Sequence, residues 1–456
     1  FGGPLYTLSK MVAVARWAEA LNGAQNETPN GAGPRAVPVF WVATEDHDWQ
    51  EITRTAFLTP GGLRRFDLGE DPDPLLPVGM RTLGPGVVDV LDGLHELRSS
   101  DRFESWSETL AGIYRPEARF GEAFCRLAVE LLGERCPLLL DAMDPTVKRV
   151  QAPWLERLVE ERAAWEAESE RADRRIEERG YALQVSPQRG VSPLFELRDG
   201  ERRRIEWRTA GDGAELGGDD DRYVLRGTER PPRPIRELRE ILDENPGTVS
   251  PGVLARPAIQ DAILGTTLMV LGPGEMSYMA QAAPTYRTLG LEAPWVALRP
   301  QALVLEGHQR EKLTEMELAL AHLLGPDDAL ERRLAGDAGA GLVERARDRV
   351  EEALATLREE TLELDPNLER PFDKTRQNVL RALETFGGKV TAAAARRDEV
   401  RARRVERLRS ICLPEGTLQE RVVSTCHWPG KYGERFIDAL WDQMDLDGRH
   451  LQVIEP

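Results

Sequence analysis

The amino-acid sequence predicts an α/β fold: an open, mostly parallel sheet interrupted by a β-containing insertion and completed by an antiparallel helical coiled coil. Three observations carry that prediction. Residues 37–43 form an unbroken apolar run, as the doubly covered strands of a parallel sheet do, and the run stops abruptly at Thr44-Glu45-Asp46-His47-Asp48. Strand-like and helix-like patterns alternate around it. Between 307 and 411 the periodicity is helical, with two apolar seams separated by Asp365-Pro366-Asn367.

The chain enters through Phe1-Gly2-Gly3-Pro4 into a helix whose Leu5, Leu8, Val12, Ala15 and Ala18 share one face; the glycines and the proline are start signals. A polar loop over 22–35, rich in Gly, Asn and Pro, precedes the 37–43 strand. Helical patterns recur over 87–97 and 119–132, and a second buried strand, 137–140, ends in Asp141. A long charged helix is expected over 153–179, with Leu155, Leu158, Trp165, Ala172 and Ile176 along one stripe. Residues 181–226 change character. Short β-like runs, 194–198 and 203–207, flank Asp199-Gly200, a hairpin turn signal, and the acidic, glycine-rich 211–221 is expected to be disordered.

The α/β pattern resumes near 246. A strand over 266–271 leads through Gly272-Pro273-Gly274-Glu275 into a helix to about 289, then a strand over 295–298. In the helical stretch Leu342, Ala346, Val350, Ala353, Leu357, Thr361 and Leu364 recur every three or four residues. Leu368, Phe372, Thr375, Val379, Leu383, Phe386 and Val390 repeat the pattern beyond the turn, as in an antiparallel coiled coil. A C-terminal helix pattern spans 418–440. The expected organisation is a first core segment over 1–175, a β-rich insertion over 176–245, a second core segment over 246–306, a coiled-coil hairpin over 307–412 and a C-terminal segment over 413–456 that returns to the core.

Composition narrows the function. The 456 residues exceed one ordinary core and suggest about two to four domains or large insertions. A net charge of −18 speaks against nucleic acid and anionic membranes as partners. No run of about 18 apolar residues is present, so no transmembrane helix is expected. The 4 cysteines form no CxxC pair, which removes the usual zinc and thioredoxin-like motifs, and free thiols fit a reducing cytoplasm. The arginine-rich 396–409 is interleaved with Asp398, Glu399 and Glu406 and reads as a solvated helix face rather than an anion-binding surface. The opening Phe1-Gly2-Gly3, without methionine, suggests a sequence that begins inside the natural protein.

The chemistry concentrates in a few places. Glu45, Asp46, His47 and Asp48 sit at the carboxyl end of an expected strand, the edge at which open α/β sheets bind ligands. They offer a general base, a cation ligand or substrate hydrogen bonds. Helix N-capping by Asp46 or Asp48, with the others solvated, is the alternative. Consecutive residues on one loop rarely all face one ion, so no tightly bound metal is expected. Gly2-Gly3-Pro4-Leu5-Tyr6 opens a helix whose free amides and dipole suit a phosphate or carboxylate, the dipole contributing roughly 0.3–1 kcal/mol; a tight structural turn explains the same residues equally well. Lys10 would add a charge there.

Gly272-Pro273-Gly274-Glu275 repeats the strand–loop–helix context without matching a Walker loop or GxGxxG, and is either a ligand loop or a plain turn. Glu275 would cap the helix or bind a ribose or an amine, with Tyr278 on the same face. Arg256-Pro257-Ala258-Ile259-Gln260-Asp261 brings a guanidinium fork suited to carboxylate or phosphate, or to a surface ion pair. His427 and Lys431-Tyr432-Gly433 have no role fixed by spacing. With no GxSxG, HExxH, Walker or kinase signature, the residues by themselves lead to a nucleotide- or metabolite-binding α/β protein with a helical hairpin.

In this order, Phe1-Gly2-Gly3-Pro4-Leu5-Tyr6, Pro38-Val39-Phe40-Trp41-Val42-Ala43-Thr44-Glu45-Asp46-His47-Asp48, Leu138-Leu139-Leu140-Asp141, Arg256-Pro257-Ala258-Ile259-Gln260-Asp261, Gly272-Pro273-Gly274-Glu275 with Tyr278, and Lys431-Tyr432-Gly433 with Phe436-Ile437 resemble the BshC family, the cysteine ligases of bacillithiol biosynthesis, over almost the whole chain. The resemblance implies a Rossmann-like core with inserted connecting segments and a coiled coil that pairs two subunits in a homodimer. It implies addition of cysteine to glucosaminyl-malate, the last step to bacillithiol, by formation of a carbon–nitrogen amide bond. Activation of the cysteine carboxylate suggests a nucleotide, ATP or ADP, with magnesium as a possible companion.

On that resemblance Glu45, Asp46, His47 and Asp48 line the pocket, with His47 or Asp48 as base. Gly2, Gly3 and the helix after them hold a phosphate or carboxylate, and Gly272, Gly274, Glu275 and Tyr278 shape the other wall. Tyr6, Lys10, Arg256, Gln260 and Asp261 complete the binding set. A nucleotidyltransferase on the same fold, or a nucleotide-binding coiled-coil scaffold, are the alternatives. Thr44 departs from the glycine usual in the family, which would alter how the backbone approaches a ligand. Cys125 and Cys136, near an apolar helix and strand, are expected to be inert rather than covalent carriers.

Overall fold

The N-terminal helix, Leu5–Asn26, organises the core. Leu5, Leu8 and Val12 are fully buried and Ala15 and Ala18 nearly so, as the spacing predicts. The helix touches three pairs of parallel strands. Val39–Val42 pairs with Leu138–Asp141, Leu268–Leu271 with Trp295–Leu298, and Gln301–Val304 with Leu451–Ile454. One open sheet was expected; hydrogen bonding instead links the strands only within these pairs. Between the last two pairs stands Pro300, which has no N–H with which to continue a ladder. The computed structural model describes residues 1–26, 35–97, 101–186, 188–209, 216–334, 336–397 and 399–456. Within the expected loop over 22–35, Asn22 to Asn26 extend the first helix and 27–34 lie outside the described residues.

Helices form at Gly86–His95 and Phe120–Leu132, close to their predicted limits. The expected helix over 153–179 is two helices, Pro145–Glu160 and Arg162–Glu178. The break at Glu161, with φ −88° and ψ 18°, accompanies Arg162 turning inward to a buried ion pair with Asp221 at 2.6 Å. Of the stretch expected to be disordered, 211–215 lies outside the described residues, whereas Asp221 is a buried anchor. The C-terminal pattern over 418–440 also breaks, into a short turn and the helices His427–Tyr432 and Glu434–Gln443. Gly433, at φ +63°, adopts a backbone conformation between them that other residues rarely take. The antiparallel hairpin Arg54–Thr59 with Gly62–Asp67 has no counterpart in the sequence reading.

The insertion is a five-stranded antiparallel sheet in the order Arg233–Pro234, Arg222–Leu225, Glu201–Arg208, Val191–Arg198, Val249–Pro251. Asp199 and Gly200, both at positive φ, make the predicted hairpin turn. The sheet draws in Val249–Pro251 from beyond residue 245 because that strand pairs with the outer side of Leu194–Glu196. Leu194, Ile205, Trp207 and Tyr223 pack on Leu155, Leu158, Leu238 and Ile259 in a second core.

Helices Gly336–Leu364 and Glu369–Arg397 form the antiparallel hairpin, joined through Pro366–Leu368, where the Asp365 carboxylate accepts the Asn367 amide at 2.9 Å. Helix Glu399–Cys412 returns to the core: Val405, Leu408 and Cys412 join Leu303, Leu305 and Leu313 in a third core while Arg403, Arg404 and Arg407 stay exposed. Asp398 lies outside the described residues. No helix among the described residues is long and apolar enough to cross a membrane.

Candidate functional site

Five distant segments meet around the turn that follows Val39–Val42. Asp46 is the centre. Arg256 Nη1 lies 3.3 Å from Asp46 Oδ2, and Arg202 Nη1 lies 3.5 Å from Oδ1. Arg256, at the start of helix Arg256–Leu264, also donates from Nη2 to the Tyr278 hydroxyl at 3.4 Å. Tyr278 belongs to helix Pro273–Leu289, and Glu275, one turn earlier, pairs with Lys10 of the N-terminal helix. Glu275 Oε2 also accepts the Gly272 amide at 2.7 Å. Burial alone would raise the Glu275 carboxyl; Lys10, the Gly272 amide and Arg256 instead hold it below the usual carboxylate range.

Tyr6 closes the group from the first turn of the N-terminal helix. Arg299 and Arg421 stand 5.3 and 5.9 Å from its ring centre, and burial, reinforced by Glu51 and Glu275, raises its hydroxyl. Lys10, Arg202, Arg256 and Arg421 thus gather around a few carboxylates at the strand ends, an arrangement suited to an anionic ligand, while Arg299 is held internally by Glu420.

The four consecutive residues of the cluster separate. Glu45 is buried and does not line the cleft: it pairs with buried Lys148, whose Nζ also reaches the Val249 carbonyl at 3.3 Å. This contact ties the core strand to the inserted sheet. Asp46 faces the arginines. His47 is half-buried, with Nδ1 3.4 Å from Arg202 Nη1. Desolvation and then the Arg202 charge push its imidazole below the ordinary value, with Asp46 and Asp48 opposing. Asp48 is exposed; it occupies the N-cap position of Trp49–Thr53 without making a capping bond. Thr44 is buried, bonds Asp141 and packs against Gly79 and Gly121, so its side chain faces the interior.

Other predicted residues divide. Gln260 is half-buried one turn beyond Arg256. Asp261 turns away into the second core, where it accepts the Tyr286 hydroxyl at 2.6 Å and burial raises its carboxyl. Gly2 and Gly3 carry φ of +70° and +73°, and the carbonyl of Gly3 accepts the Thr425 amide at 2.9 Å. The Leu5 amide, at the helix start, donates to the Val423 carbonyl at 2.9 Å. Gly274, by contrast, is exposed with no atom within 4 Å of where a Cβ would stand.

The sequence reading missed Arg202, Lys148, Glu51, Arg299 and Arg421. Burial, then Asp48 and Asp46, raises the Glu51 carboxyl. Arg299 makes a buried bidentate pair with Glu420, both bonds 2.8 Å. Three adjacent arginines, Arg202-Arg203-Arg204, were the available signal for the first, but nothing local marks which of them turns inward.

Elsewhere, His427 and Lys431 line a separate cavity of about 780 Å³ between the core and the foot of the hairpin, where Lys431 pairs with Glu306. Burial pushes the His427 imidazole down to about 3. All four cysteines are free. Cys125 and Cys136 are half-buried, and burial raises the thiols of Cys125 to about 11 and of Cys412 and Cys426 to about 12, which keeps those three protonated at neutral pH. Among the described residues no group of three His, Cys, Asp or Glu side chains is placed to hold a metal ion.

Two family models match the chain. The bacillithiol biosynthesis BshC N-terminal Rossmann-like domain covers residues 1–300, and the BshC C-terminal coiled-coil domain covers 302–455. The parallel core is therefore Rossmann-like and the hairpin part of a coiled-coil domain. A protein of Salinibacter ruber is 31% identical over 463 residues, covering 100% of this chain and 80% of the relative. One of Thermus thermophilus is 31% identical over 417 residues, covering 89% and 80%, and one of Solibacter usitatus 28% over 464 residues, covering 98% and 81%. Each bears the name "Putative cysteine ligase BshC".

Proposed function

The chain belongs to the BshC family of bacillithiol biosynthesis, and from that premise we propose that it is a carbon–nitrogen ligase joining the carboxyl group of cysteine to the amine of glucosaminyl-malate. One observation carries this reading: Tyr6 and Lys10, Asp46 to Asp48, Arg256, and Glu275 with Tyr278 converge from distant segments at the strand ends, in a group rich in guanidinium and ammonium side chains. The cysteine substrate comes from the relatives' name, and the amine from the pathway that the family name denotes.

Amide formation needs a leaving group on the carboxyl carbon, which ATP with magnesium would supply. The start of helix Pro273–Leu289 fits a phosphate, since Gly274 is open and the helix dipole favours negative charge there. The chain's own residues do the rest. Arg256 and Lys10 orient carboxylate or phosphate oxygens. As the amine nitrogen bonds to the activated carbon and that carbon releases its leaving oxygen, Asp48, exposed and free of capping duty, takes the amine proton. Asp46 keeps its two guanidiniums in place.

The protein acts as a homodimer paired through the hairpin, whose Leu342, Leu357, Leu364 and Phe386 are exposed in the single chain. A monomer mass in light scattering at micromolar concentration would remove the dimer. The ligase is tested by supplying the protein with glucosaminyl-malate, cysteine, ATP and magnesium and following the amide product by mass spectrometry. Product that depends on all components supports it. Nucleotide cleavage independent of cysteine, or no product at all, overturns it.

A further inference from the structure

Arg202 reaches the cleft from the inserted sheet, and its surroundings fix its pose. It is 3% exposed, its Nε donates to Ser250 Oγ at 3.0 Å, its Nη2 donates to the Pro251 carbonyl at 3.2 Å, and its guanidinium lies 3.9 Å from the centre of the Phe195 ring. The remaining nitrogen, Nη1, stands between Asp46 Oδ1 and His47 Nδ1. A guanidinium carries donors and no acceptor, and it stays protonated at any ordinary pH. The bond at 3.4 Å therefore requires a lone pair on His47 Nδ1. A neutral imidazole with its lone pair on Nδ1 carries its proton on Nε2. The His47 ring is further held edge-on to Phe195, with centres 6.3 Å apart. Nε2 has no partner among the described residues and is not sealed from solvent.

We propose that Arg202 is a positioning residue that locks His47 as the neutral Nε2–H tautomer, so that His47 serves the reaction as a hydrogen-bond donor to a carbonyl or carboxylate oxygen and not as the proton acceptor. The catalytic part of this statement rests on the ligase reading; the tautomer does not. The lock would also explain why an inserted sheet packs so closely on the strand ends. It brings a fixed cation to the His47 imidazole. The charged groups around the ring are Arg202 from the insertion, Asp46 and Asp48 from its own turn, and Arg81 from the segment beside it. The two cations and the two carboxylates act on the ring in opposite directions, and the Arg202 bond to Nδ1 decides which nitrogen holds the proton.

The test uses the full-length protein with 15N-labelled histidine rings, the His47 signals being assigned by their loss in H47Q. At pH 7 the wild type should show Nδ1 as the unprotonated and Nε2 as the protonated nitrogen. R202Q should give a mixture of tautomers and a His47 titration moved upward, and R202K should fall between. Protonated Nδ1 or an imidazolium in the wild type overturns the proposal. So does an R202Q protein that is folded by circular dichroism yet leaves the ring spectrum unchanged, the result expected if Arg202 only braces the sheet. Kinetics then separate donor from base, because a glutamine amide can replace an Nε2–H donor but cannot accept a proton. H47A should lose about 10²–10³-fold in kcat, in line with removal of one oxyanion donor, and H47Q at least about tenfold less. Equal losses in the two variants overturn the donor role. An inactive wild type sinks the ligase reading instead, and the ring spectra still decide the tautomer.

Discussion

Two helix starts in this molecule share a sequence signature and differ in what surrounds them. Gly2-Gly3-Pro4 leads into Leu5–Asn26, and Gly272-Pro273-Gly274 leads into Pro273–Leu289. The first is closed. Its glycines take positive φ, a Cβ on Gly2 would stand 2.5 Å from Leu127 Cδ2, and the Leu5 amide already donates to Val423. The second is open, with Gly274 exposed and only the Gly272 amide satisfied by Glu275. Glycine before a helix thus serves two different needs. At the first start it admits a tight backbone path against the 423–425 segment; at the second it leaves the space in front of the helix open.

The largest effect should come from breaking what holds the first start shut. Glu420 accepts both Arg299 nitrogens and the Ala302 amide, and Val423 and Thr425, three and five positions later, bond the Leu5 amide and the Gly3 carbonyl. E420A leaves a buried guanidinium without its partner and should lower unfolding free energy by about 3–5 kcal/mol in urea titration. A loss under about 1 kcal/mol would mean that the segment is held by its neighbours alone. G2A comes next. It adds a left-handed backbone cost of roughly 1–2 kcal/mol to a clash with Leu127, for a total of about 2–4 kcal/mol. A G2A protein as stable as the wild type would refute the closed start.

The sequence made both starts visible but not their difference, and the same limit runs through the rest of the molecule. The first helix, the parallel strands and the two hairpin seams were legible because their apolar spacing is local. Which polar side chain meets which was not. Glu45 looks like its neighbours in sequence, yet it turns inward to Lys148, 103 residues away, while Asp46 faces the cleft. Arg202 is one of three adjacent arginines on a strand, and only the docking of the inserted sheet on the core selects it. Asp221 reads as part of a solvated acidic run and is an internal anchor for Arg162. The break at Glu161 coincides with that same long-range pair, which helical periodicity across 153–179 could not reveal.

Lys10 and Glu275 tie one start to the other, and pH reads the tie. Glu275 sits below its ordinary value of 4.5 in the folded protein. A carboxyl lowered by folding contributes stability that is present above its unfolded value and lost as pH falls through the folded one. K10M should therefore cost about 2 kcal/mol at neutral pH and progressively less as the pH falls below the ordinary carboxyl value of 4.5 and through the lowered folded one. Parallel stability curves for K10M and wild type across that range would show that the pair is not ionised in the way the contacts require.

The smallest change in stability should accompany the most informative change in binding. Gly274 has no positive φ, and a Cβ there meets no atom within 4 Å beyond its chain neighbours and its own helix backbone. G274V should shift unfolding free energy by less than about 1 kcal/mol. Yet Cα–Cβ bonds on a helix tilt toward its N-terminus, so the valine methyls would stand in front of the free amides. If a phosphate docks there, nucleotide affinity in calorimetry should fall by at least about tenfold, or about 1.4 kcal/mol. Unchanged affinity in a protein of unchanged stability would place the nucleotide elsewhere and leave the open glycine as a feature of the loop alone. The matched pair of G2A and G274V then separates the two starts by opposite expected outcomes: one lowers stability and the other lowers nucleotide affinity.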